Sequence, residues 1–274
     1  MSMTAQSKIV GLMLRVTVLI AGAGGVSPSA AEPLIIAASP SVAAPMEALG
    51  RVFEASHPDV RVRIYLDAGL DLRRTIASVE NNSRGQYFIG SGPLHLVAPG
   101  GDELITRLQQ KYYVLPDTRR PYATVPLVLI VPESLVETPS SFEALAEDRI
   151  VRIAIGDPEL TTVGRKTKEL FVAMGLWKAV EDRLDRAADV RAVLDHVLNG
   201  QADVGILFGP DAVKERERVR IVAVSDHRIA QPVVHSIAME RYCPNRTLCS
   251  EFLDFVQSAE AQAALARLGY GPAK

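Results

Sequence analysis

Beyond residue 31, apolar positions alternate between short β-rich runs and stretches of helical period. Leu34 to Ala38 is an unbroken apolar run of strand length, and Ala43 to Glu54 then repeats its apolar positions at helical spacing. The succession recurs: strand-like Val60 to Leu66 precedes a helical Leu70 to Val79, and strand-like Gln86 to Gly90 precedes a helix from about Asp102 to Gln110. Strands alternating with helices of this length predict a parallel sheet covered on both faces.

A longer β-rich run, Tyr122 to Val131, follows the Pro- and Arg-containing stretch Leu115 to Pro121 and reads as a crossing into a second layer. A second set follows: helix Phe142 to Ala146, strand Val151 to Ile155, helices Arg165 to Met174 and Val190 to Leu198, and strands Asp203 to Phe208 and Val219 to Val224. Val233 to Met239 reads as the return crossing. A helix or helix pair over Leu248 to Leu268 closes the chain, with Phe252, Phe255, Val256 and Leu265 forming a core-facing stripe. The pattern predicts an α/β protein of two lobes joined by two β crossings, residues 32–118 plus 233–274 forming one lobe and 119–232 the other. That is the plan of periplasmic binding proteins, whose lobes hinge over a ligand.

The first 31 residues differ. Lys8 and Arg15 precede the apolar stretch Val16 to Val26, which leads to Ser29-Ala30-Ala31, the order of a secretory signal peptide cut after Ala31. An N-terminal membrane anchor is the competing reading, but roughly 11 apolar residues fall short of the ~20 that span a bilayer. No Cys follows the small residues, so a freely soluble periplasmic protein is expected rather than a lipid-anchored one.

With 274 residues, 48% of them hydrophobic, the chain can bury a sizeable core. A formal net charge of −2 gives no basic footprint, which argues against nucleic acid as a partner. Cys243 and Cys249 lie close together in RYCPNRTLC and could close a short disulfide loop in an oxidising compartment; two free thiols are the alternative. Metal binding there lacks a nearby His or third Cys.

Catalytic patterns are missing. Ser91 lies in Gly-Ser-Gly without the G-x-S-x-G elbow, and the histidines at 57, 95, 196, 227 and 235 show no metal-ligand spacing. The mixed run Lys214 to Arg218 reads as a solvated helix face. Neither a P-loop nor a dinucleotide fingerprint occurs. An enzyme is not expected, nor a cofactor.

Several stretches resemble the molybdate-binding proteins of ABC molybdate importers: AAS at 37–39, FEASHPDVRV at 53–62, RIAIGDPE at 152–159, GLWKAVEDRL at 175–184, ADVRAVLDHVLNGQADVGILFGPDA at 188–212 and FLDFVQSAEAQAALARLGYGP at 252–272. The resemblance implies a two-lobed periplasmic binding protein fold of type II, a small oxyanion such as molybdate or tungstate held by uncharged donors, an ABC permease of the inner membrane as partner, and a monomer. It carries ligand contacts onto Ser39, onto the turn at Ala68 and Gly69, onto Val163 and Val190 through their main chain, and onto Phe208.

This chain departs from the family pattern in two of these places. The turn Leu66-Asp67-Ala68-Gly69-Leu70 has no serine, and Asp67 adds a charge that within ~5 Å of a dianion would be repulsive by some kcal/mol. Phe208 stands where the family has a tyrosine, removing a phenolic donor. Ser91, between Gly90 and Gly92, either supplies a replacement hydroxyl or belongs to a plain turn. The departures leave room for a relative that has changed ligand, or that serves as a sensor rather than in transport.

Overall fold

The computed structural model describes residues 31–66, 88–89, 92–147 and 150–273. In chain order the first part runs β1 (Glu32–Ala38), α1 (Ala43–Ser56), β2 (Val60–Leu66), the short pair β3 (Phe88–Ile89) and β4 (Gly92–Pro93), β5 (Leu96–Ala98), α2 (Asp102–Gln110) and β6 (Arg120–Val125). The second part runs β7 (Leu127–Pro132), β8 (Ile153–Gly156), α3 (Thr162–Ala173), α4 (Trp177–Val180), β9 (Leu184–Ala187), α5 (Val190–Leu198), β10 (Val204–Phe208), α6 (Gly209–Lys214) and β11 (Val219–Val224). The chain finishes with β12 (Val233–Met239), α7 (Arg246–Phe255), α8 (Ala259–Ala266) and β13 (Gly271–Pro272).

Two mixed sheets result, a six-stranded one in the order β13-β6-β12-β5-β1-β2 and a five-stranded one in the order β11-β7-β10-β8-β9. In the first, β1 pairs in parallel with β2 and β5, while β12 runs antiparallel to β5 and β6. Strand β1 reads as a continuous apolar run because both of its faces are covered. Leu34, Ile36 and Ala38 enter one core with Phe53, Phe252 and Leu265; Ile35 and Ala37 enter another with Ile105 and Leu108 of α2. The second sheet repeats the device on β7, where Leu129 and Val131 face one core and Val128 and Ile130 the other.

The run expected as one crossing strand, Tyr122 to Val131, is two strands in different sheets, broken at Pro126. Proline has no N–H for the ladder, and its carbonyl instead accepts from the Gly209 amide at 2.9 Å. The chain returns through residues 225–232, and β12 lies wholly in the six-stranded sheet.

Other boundaries move for identifiable reasons. Helix α3 begins at Thr162 rather than Arg165, because Thr161 caps it. The expected helix Phe142 to Ala146 is a single 3-10 turn, Glu143–Ala146. Strand β9 was hidden by its charges, Asp185 and Arg186, which a strand at the edge of a sheet tolerates. The run Lys214 to Arg218 is not a helix face: α6 ends at Lys214 and the rest is turn. The expected helix Leu70 to Val79 lies outside the described residues, as does the strand Gln86 to Gly90 apart from Phe88–Ile89. Among the described residues, no helix is long and apolar enough to cross a membrane.

Cys243 and Cys249 are joined by a disulfide. Both are buried, Cys243 just before α7 and Cys249 within it; the helix cap Asn245 accepts from the Leu248 amide and donates to Glu32 on β1. A loop this short restricts the unfolded chain by about 2 kcal/mol. Thiol labelling of the denatured, unreduced protein should find no free thiol, and reduction should lower the denaturation midpoint; two labelled cysteines would contradict the pairing.

Candidate binding cleft

The junction after β8 is built from backbone contacts that leave no room for side chains. The Asp157 carbonyl accepts from the Thr161 amide and hydroxyl, both at 2.9 Å, and the Asp157 carboxylate accepts from the Glu159 amide at 2.7 Å. Thr161 Oγ1 in turn accepts from the Gly164 amide at 3.0 Å, capping α3. A Cβ on Gly164 would sit 2.0 Å from the Gly156 carbonyl oxygen, so the first turn of α3 presses directly on the strand end. With Gly164 satisfied by the cap, the Thr162 and Val163 amides are first-turn donors that the helix itself cannot pair. The Val163 side chain is buried, whereas Thr162 lines a cleft.

Helix α5 starts in the same manner. Asp189 accepts from the Ala192 amide at 2.8 Å, which leaves the Val190 amide at the helix start without an intrahelical acceptor. Val163, Val190 and Phe208 belong to one hydrophobic cluster. Phe208 ends β10 and precedes α6, with its ring on the cleft wall and no polar atom to offer.

Across the cleft, Ser39 closes β1. Its amide donates to the Ala98 carbonyl at 3.0 Å, its carbonyl accepts from Val42, and its hydroxyl lies 3.1 Å from that of Ser41. Ser39 is buried and Ser41 lines the cleft. Gly100, at φ +97°, lets the turn after β5 fold over these serines: a Cβ there would lie 3.0 Å from Ser41 Oγ.

The His235 imidazole of β12 reaches the Gly100 carbonyl through Nδ1. A carbonyl only accepts, so Nδ1 carries the proton. Burial pushes the His235 pKa down against the opposing pull of that hydrogen bond, which keeps the ring neutral at neutral pH. Next along β12, the Ser236 hydroxyl donates to Asp102 at 2.5 Å while Arg119 pairs with the other carboxylate oxygen, tying the first turn of α2 to the sheet.

The cleft has a volume of about 880 Å³. Ser41 and Ala44 line it on the α1 side, Thr162 and Phe208 on the side of the five-stranded sheet, and His235 and Tyr270 beside the crossing strands. Its charges are mixed: Lys214, Arg216 and Arg267 against Asp211 and Glu217, with Lys214 held 3.4 Å from Asp211. Tyr270 is pushed up to about 12, first by burial and then by the Asp211 carboxylate, so its hydroxyl stays protonated.

The structure thus brings Phe208, together with the chain neighbours of Ser39 and Val163, to one cleft. Val190 stands at a helix start but does not appear on the cleft wall. Ala68, Gly69, Asp67 and Ser91 lie outside the described residues. His235 and Tyr270 were not singled out as site residues by the sequence. The alternation of β12, which puts Val233 and His235 on one face, was the available signal for the histidine.

Residues 34–271 match the family described as bacterial extracellular solute-binding protein. The chain is 24% identical over 216 residues to the molybdate-binding protein ModA of Escherichia coli (strain K12), covering 77% of this chain and 82% of that one. It is 31% identical over 144 residues to the putative ABC transporter substrate-binding lipoprotein YvgL of Bacillus subtilis (strain 168), covering 53% of this chain and 54% of that one. Among solved structures, the substrate-binding domain of a putative molybdenum ABC transporter from Clostridium difficile superposes with a TM-score of 0.75 at 22% identity, covering 89% of this chain and all of that one. At that identity the superposition speaks for the fold alone.

Gly164→Ala should force the start of α3 away from β8, at a cost of about 1–3 kcal/mol. Thermal unfolding measures it, and an unchanged midpoint would contradict the close packing. For His235, whose pKa lies below its unfolded value of 6.5, the unfolded chain takes up the proton first as pH falls. Its contribution to stability is therefore complete above about pH 6.5 and is lost as pH drops below it. Denaturant midpoints from about pH 8 to about pH 5 should fall less steeply for His235→Gln than for the wild type; parallel profiles would refute the assignment.

Proposed function

The chain belongs to the bacterial extracellular solute-binding protein family, and from that premise we propose that it binds a small oxyanion, molybdate- or tungstate-like, for an ABC importer. In this reading residues 1–31 are a signal peptide removed on export to the periplasm. Residues 32–118 with 233–274, and residues 119–232, act as two lobes that close over the anion and present it to a permease of the inner membrane. The protein is a monomer, needs no cofactor and performs no chemistry on its ligand.

One observation carries the proposal: the start of α3 at Thr162, with its unpaired first-turn amides, and Ser41, whose hydroxyl meets that of Ser39, border one cleft from opposite sheets, and its three cations face two carboxylates. A helix N-terminus offers both N–H donors and a favourable dipole to an anion. A site made of fixed donors accepts a fully deprotonated dianion and rejects an anion that carries protons of its own, since those protons find no acceptor. Ser39, Val163 and Val190 are the contacts proposed on the described residues, with Ala68, Gly69 and, as an extra donor, Ser91 on the turns beyond them. The change of sheet at Pro126 and the return through residues 225–232 supply the hinge.

Phe208 favours a second reading. Its ring adds cleft wall without a donor, which suits a relative whose ligand is no longer molybdate, or one that senses rather than transports.

Calorimetry of the mature protein with molybdate, tungstate, sulfate and phosphate separates the two. The proposal expects micromolar or tighter binding of molybdate or tungstate with sulfate rejected; no heat with any of the four would overturn it. Ser39→Ala should weaken binding about five- to a hundredfold, the effect of losing one buried hydrogen bond to a charged ligand. Unchanged affinity would remove Ser39 from the site.

A further inference from the structure

We propose that the hydroxyl of Tyr270 is a ligand donor of the cleft, contributed from the C-terminal segment near Phe208; the assignment rests on the oxyanion reading above. Tyr270 precedes β13, which pairs with β6 through Gly271 and Thr124 and so belongs to the six-stranded sheet. The turn before it lies against the other half of the molecule with backbone on backbone. A Cβ on Gly209 would sit 2.3 Å from the Gly269 carbonyl oxygen, and one on Gly269 would sit 2.6 Å from the Gly209 carbonyl. Gly269 holds φ +84°, which a side chain would strain. Gly209 directly follows Phe208, so this contact sets Tyr270 beside Phe208 in the same cleft.

The phenol at that place is a donor without a use inside the fold. Its ring lies 6.0 Å from the His235 ring, and the residue is only half-buried. Its hydroxyl makes no hydrogen bond among the described residues. Tyr122, the other tyrosine near His235, is fully buried in the core and does not line the cleft. The Tyr270 hydroxyl remains protonated far above neutral pH, so it meets an anion as a donor and adds no charge. Phe208 beside it offers no side-chain donor, and the cations of the cleft, Lys214, Arg216 and Arg267, are exposed to solvent. A neutral O–H held by packing costs less to desolvate than any of them.

Tyr270→Phe removes one oxygen and keeps the ring against His235. Calorimetry with molybdate, tungstate, sulfate and phosphate should show affinity for the bound anion about five- to a hundredfold weaker than wild type. The ligand-free thermal midpoint should stay the same, which a packing role alone would not combine with lost affinity. Adding Phe208→Tyr to Tyr270→Phe should restore part of the loss, because it returns a phenol to the same cleft. Wild-type affinity in Tyr270→Phe overturns the assignment and leaves the oxyanion reading standing. No heat from the wild-type protein with any of the four anions overturns that reading and this assignment together.

Discussion

The contact between Gly156 and Gly164 is the constraint on which the cleft depends. A carbonyl oxygen occupies the place where any other residue at 164 would put its Cβ, so the first turn of α3 is seated on the end of β8 with no side chain between. Thr161 then takes the Gly164 amide, and the donors left over are those of Thr162 and Val163. The position and direction of these two amides are thereby fixed by backbone, which holds its geometry more tightly than a surface lysine would.

The second constraint is how the two sheets are joined. Pro126 separates β6 from β7, its carbonyl takes the Gly209 amide, and Leu127 exchanges hydrogen bonds with Ser225 through that residue's hydroxyl and amide. Outgoing and returning chains are thus stitched together where they change sheet. The contact of Gly209 with Gly269 adds a third point of touch beside them. The cores on either side of this junction are separately packed.

The alternation of strands and helices was legible because each half buries both faces of its sheet, which makes β1, β7 and β10 read as plain apolar runs. Thr161 and Gly164 in AIGDPELTTVG carried the helix start in their chemistry, yet apolar period alone placed it three residues late. Charged β9 could not be found by hydrophobicity, since an edge strand is half solvent-facing. On the cleft wall, Phe208 was reachable through motif position, as was Ser39 behind Ser41. His235 and Tyr270 were not, because what brings them to the cleft is the pairing of β12 and β13 with β6, contacts more than a hundred residues apart along the chain.

In the proposed reading, neutral donors at the ends of elements, rather than cations, hold the ligand. His235 is kept uncharged by burial with its N–H given to Gly100, Tyr270 is kept protonated, and Asp211 and Glu217 balance all but one of the three cations nearby. Anomalous diffraction at the molybdenum edge, from crystals of the mature protein grown with molybdate, tests this directly. The account predicts one peak between the Thr162–Val163 amides and the Ser39–Ser41 hydroxyls; a peak elsewhere, or none, would contradict it.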